Sequence, residues 1–99
     1  MTTTQTAGIT FTHDTDRPGD IWTATVGDHL LVQHGKDGEL MNVYAVDAAG
    51  KERPLGIILV DKGRSWTEYR ARPAFAERSV LCESLDDALR FLDQMDGRP

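Results

Sequence analysis

Apolar and polar residues alternate with a period of two in several short stretches, the signature of strands with one buried face. Ile9-Thr10-Phe11-Thr12 gives a short first strand. Ile21 to Val26 gives a second, rich in the β-branched residues Thr23, Thr25 and Val26. Gly27-Asp28 separates it from His29 to His34, and a glycine at the first turn position accepts the positive φ of a two-residue II′ hairpin. Gly35-Lys36-Asp37-Gly38 predicts the next turn, Leu40 to Val46 a further strand, and Asp47 to Gly50 another reversal. Leu55 to Val60 is almost continuously apolar; its length and β-branched content predict a buried central strand. After the turn Asp61-Lys62-Gly63-Arg64, alternation resumes from Ser65 to Ala71. It puts Trp66, Glu68, Arg70 and Arg72 on one side and Thr67, Tyr69 and Ala71 on the other. Pro73 ends this strand, and Ser79 to Cys82 predicts a last one.

The period then changes. Leu85, Ala88, Leu89, Leu92 and Met95 recur at helical spacing and form one apolar face. Ser84 and Asp87 have the spacing of a capping box, and Asp86 and Asp87 complement the positive end of the helix dipole. Gly97 and Pro99 supply the stop. A helix this short is marginal alone in water, so it must lie on the sheet. The pattern therefore predicts an α+β fold: a mainly antiparallel sheet of five to seven strands with one C-terminal helix packed on it. A small barrel capped by the helix is the alternative. Leu40, Tyr44 and Val46 face one way and Met41, Val43 and Ala45 the other, so both faces of that strand are apolar. This predicts either curvature into a barrel or a dimer interface.

Length bounds the organisation: 99 residues make one domain. It is expected over residues 9–97, after a polar, Thr-rich tail at 1–8 that is expected to be disordered. His13 to Asp20 reads as a loop. The N-terminus has neither a basic region nor an apolar run, and the longest apolar stretch, Leu55 to Val60, is too short to cross a membrane. A cytoplasmic protein without a membrane partner is the expectation. Cys82 is the only cysteine, so no intrachain disulfide exists. The net charge of −5 is unevenly spread: residues 1–50 carry −5, residues 51–78 carry +3 and residues 79–99 carry −3. The acidic balance opposes non-specific nucleic-acid binding, while the basic middle leaves room for one positive face.

Trp22, Tyr44-x-Val46-Asp47, Gly50, Pro54-Leu55-Gly56, Trp66 and Ser84-Leu85-Asp86-Asp87-Ala88-Leu89 follow one another in this order. The series resembles small uncharacterised proteins of actinobacteria and their phages. Those carry successive strands with spaced tryptophans and end in a helix, so the resemblance implies the same fold over residues 20–95. The segment from Trp66 to Leu92 is also similar to the arm-type DNA-binding domains of phage integrases and to AP2-like domains. In those, a three-stranded sheet packs on one helix and strand side chains enter the major groove. This chain departs from them in its acidic helix region and in Arg72-Pro73-Ala74-Phe75-Ala76, which replaces the short glycine-containing hairpin.

The residues that fit a binding surface are Lys62, Arg64, Trp66, Arg70 and Arg72. Arginine beside an aromatic ring is a platform for phosphate contacts, base stacking or a protein partner. The competing explanation is a solvated strand in which Glu68 pairs with Arg70 or Arg72 and Trp66 caps the core edge. His29 and His34 are an odd number of positions apart, so they face opposite ways on a strand and cannot share a metal. His13, Asp14, Asp16 and Asp20 match no zinc or calcium spacing. Cys82 lies in an apolar run and reads as an inert thiol. No catalytic residue, metal or cofactor is assigned. The expected role is a non-enzymatic binding or regulatory module with a protein partner, self-association included. Nucleic-acid binding through the Trp66 and Arg70 strand is one alternative; an enzyme whose site converges from distant segments is the other.

Overall fold

The computed structural model describes residues 2–36 and 39–96. The strands are β1 Thr3–Thr6, β2 Ile9–His13, β3 Ile21–Val26, β4 His29–His34, β5 Leu40–Val46, β6 Glu52–Lys62, β7 Thr67–Pro73 and β8 Val80–Cys82, followed by the helix α1, Leu85–Met95. They form one eight-stranded sheet in which each strand pairs only with its neighbours in sequence, always antiparallel. The sheet is open, with β1 and β8 as its edges, so the barrel alternative is not what forms.

The strand count exceeds the expected five to seven because of the N-terminus. Thr3–Thr6, inside the stretch read as a disordered tail, pairs with Ile9–Thr12 across the two-residue turn Ala7-Gly8. Both turn residues have positive φ, 54° and 78°, the requirement of a type I′ hairpin. An all-polar strand has no alternation to read, and its β-branched threonines are the sole local signal. Gly27, at φ 60°, makes the next tight hairpin, with Val26 paired to His29.

The register fixes the faces. Met41, Ile58 and Ala71 are cross-strand partners and fully buried, so they define the inner face. Phe11, Trp22, Leu31, Val43, Leu55 and Val60 join them in one core with Leu85, Ala88, Leu89 and Leu92 of α1. Burial of such side chains stabilises by roughly 1.5–3 kcal/mol each. The ladder of β5 and β6 slips between Val43 and Tyr44: Val43 opposes Gly56 and Tyr44 opposes Pro54, leaving Leu55 over. Gly56 sits at φ 154°. A Cβ there would lie 2.2 Å from the Arg72 carbonyl oxygen and 3.0 Å from Leu92 Cδ2. The glycine thus lets the β7 backbone approach closely at the bulge, with Leu92 of the helix packed above it.

Ser84 caps the helix, its hydroxyl accepting the Asp87 backbone N–H at 3.1 Å. The other end carries Asp93 and Asp96 and no basic residue, an arrangement the helix dipole opposes. Two inner-face side chains meet these carboxylates. His29 Nε2 lies 2.8 Å from Asp93 Oδ1, and the Arg53 guanidinium pairs with the Asp96 carboxylate. His29, Ala45 and Arg53 form one cross-strand row, so the three-residue step along the helix meets an imidazole and a guanidinium on one line of the sheet. The expected stop at Gly97 and Pro99, and the Asp37-Gly38 half of the turn before β5, lie outside the described residues.

Candidate interaction surface

The helix leaves the outer face of the sheet bare, and the two halves of that face differ. Over β3 to β5, the β2–β3 loop folds inward. Arg17 of that loop binds Asp14 at 3.0 Å and reaches Glu52 of β6 at 3.2 Å. The two outer-face residues Ile21 and Val32 are buried. A cavity of about 390 Å³ remains beside the loop, floored by Thr23, Thr25, Leu30 and Val46 and rimmed by Asp14, Asp28, Asp47 and Glu52.

Over β5 to β8 the outer face lies open among the described residues. Leu40 pairs with Leu59, Leu59 with Arg70, and Arg70 with Leu81, so these four side chains form one row across four strands. Leu40, Leu59 and Leu81 are 38%, 39% and 61% exposed. The row is flanked on one side by the cross-strand acids Asp61 and Glu68. On the other side lie Asn42, Ile57 and Arg72, again cross-strand partners. A cleft of about 190 Å³ opens beside the bulge between Asn42, Tyr44, Pro54, Ile57 and Arg72. Phe75, in the β7–β8 connection, and Val80 are further exposed apolar side chains in this half of the molecule.

The five residues singled out from the sequence fall into two groups. Arg70 and Arg72 stand on the outer face of β7, exposed to solvent. Lys62 ends β6, and Arg64 and Trp66 lie in the turn that follows. Trp66 precedes β7, so strand alternation does not set its direction. Its ring covers Gly63, where a Cβ would lie 2.1 Å from Trp66 Cε2, and the Gly63 N–H donates to the Trp66 carbonyl at 2.8 Å. The Asp61 and Glu68 pair stands between the two groups, and Glu68 Oε2 is 3.6 Å from Arg70 Nη2. The leucine row was hidden in the sequence: Leu59 lies in an apolar run that reads as wholly buried, and the pairing with Leu40 and Leu81 is a matter of register.

Several of the remaining candidate residues have structural partners. The His13 ring stacks on Trp22 with centroids 4.7 Å apart, its Nε2 lies 3.3 Å from Asp20, and the Trp22 indole N–H donates to Asp20 at 2.9 Å. Cys82 is half-buried against the core; burial, then the neighbouring Asp87 carboxylate, pushes its thiol above the ordinary value of 9.0. Among the described residues, no group of three or more His, Cys, Asp or Glu side chains is placed to hold a metal ion. Among them, too, no helix is long and apolar enough to cross a membrane. No protein-family model, no curated protein and no solved structure gives a significant match to the chain.

Proposed function

We propose that this chain is a binding module that takes a protein partner on the outer face of β5 to β8. The observation that carries the reading is the row Leu40, Leu59, Arg70 and Leu81, three leucines and one arginine across four strands, left open to solvent. Contiguous exposed apolar surface with a polar rim characterises interaction sites, and arginine is among the residues enriched at their centres. Asp61, Glu68 and Arg72 supply the rim. The test is affinity capture followed by cross-linking, with wild-type, Leu59→Glu, Leu81→Glu and Arg90→Ala baits checked for folding by circular dichroism. A protein, including another copy of the chain, is expected on wild type and Arg90→Ala and lost from both leucine variants. Binding that ignores both leucine substitutions would remove the outer face from the reading.

A second reading follows from the β6–β7 turn, where the half-exposed Trp66 is flanked by Lys62 and Arg64. Aromatic and cationic side chains together suit nucleic-acid stacking. Titration with short duplex and single-stranded DNA at low salt, with Arg70→Ala and Arg72→Ala as controls, decides it. Absence of binding at low salt eliminates it.

A further inference from the structure

Resting on the first of these readings, we infer that the partner on the outer face is a second copy of this chain, joined about a two-fold axis that runs along the leucine row. The argument is one of pattern. Three rows cross the face in order: the acids Asp61 and Glu68, then Leu40, Leu59, Arg70 and Leu81, then Asn42, Ile57 and Arg72. Successive rows lie about 7 Å apart along the strands. A two-fold axis in the plane of the interface and parallel to the rows lays the leucine row on its own copy. It also exchanges the flanks, so Glu68 faces Arg72 of the second copy and Arg72 faces Glu68. Asp61 falls one strand to the side of the same arginine. The contact is isologous, as a closed dimer requires.

The charges on this face support that partner. Among the described residues, Asp61 and Arg72 have no ion-pair partner within the chain. They stand on opposite flanks, where the axis brings each flank onto the other. Arg70, the one charge in the central row, is accompanied by its own Glu68 at 3.6 Å, so the two copies of Arg70 approach as neutralised pairs. A partner of uniform charge would leave either the acids or Arg72 opposed to like charge, whereas a second copy satisfies both flanks.

Sedimentation equilibrium at high micromolar concentration is the test. Wild type is expected at twice the 11.0 kDa chain mass. Arg72→Glu alone, Glu68→Arg alone and Leu59→Glu are each expected to weaken dimerisation on the order of a hundredfold, with unchanged circular dichroism. Mixed in equal amounts, the Arg72→Glu and Glu68→Arg chains are expected to form a heterodimer, because each flank then again meets its opposite. A monomeric wild type overturns the inference, as does a dimer indifferent to all three substitutions or a mixture that stays monomeric. A monomeric wild type whose capture of another protein still depends on Leu59 overturns only self-pairing and leaves the binding-module reading standing.

Discussion

Cys82 ends β8 with its side chain toward the core and the first turn of α1 beside it. Burial and the Asp87 carboxylate both disfavour the thiolate, while the backbone hydrogen bond to Ala71 acts weakly the other way. Alkylation by iodoacetamide reports the thiolate directly. Its pH midpoint is expected above 9.0, and Asp87→Asn is expected to lower it by removing the second cause. The sign for stability follows: the unfolded thiol ionises first, so the thiol's contribution is fully present below about pH 9 and is lost as pH rises through the folded value. A midpoint at or below the ordinary value would contradict this account. Gln33 is fixed by its surroundings in another way. Its side chain is fully buried and its amide N–H groups donate to the Gly35 and Lys36 carbonyls, both at 3.0 Å, tying down the turn after β4.

The helix is the element whose sequence and structure agree most closely. Ser84 and Asp87 were legible as a cap, and the hydroxyl of Ser84 does accept the Asp87 N–H. Ser84→Ala is expected to cost about 1 kcal/mol, read as a lower urea midpoint with an unchanged slope. The helix end was not legible. Asp93 and Asp96 look unfavourable on an isolated helix, and their partners His29 and Arg53 come from β4 and β6. His29 Nδ1 also faces the Val26 carbonyl at 3.2 Å, so both ring nitrogens meet acceptors. Hydrophobic spacing described the strands well where one face is buried, as in β7, where Ala71 is buried between the exposed Arg70 and Arg72.

At the scale of the molecule, the sheet is a simple meander in which every pairing joins sequence neighbours. Its weakest part is the edge. β1 contributes four cross-strand pairs at about 0.2–1 kcal/mol each, so deleting residues 2–7 is expected to cost about 2 kcal/mol and lower the thermal midpoint. The newly exposed β2 edge should also promote aggregation, measurable by light scattering. An unchanged midpoint would mean that β1 adds nothing to the fold.

The amino-acid sequence by itself determined the succession of strands from β2 to β8, the position and start of the helix, and the helical face that turns inward, because each depends on periodicity and turn chemistry over a few residues. The tertiary structure alone decided that the sheet stays open, that Thr3–Thr6 joins it, and which outer-face side chains stand side by side. Those outcomes depend on register between strands. A step of one residue in a strand reverses every side chain from one face to the other. That is why Leu40, Leu59, Arg70 and Leu81, scattered along the chain, become one surface only in the folded molecule.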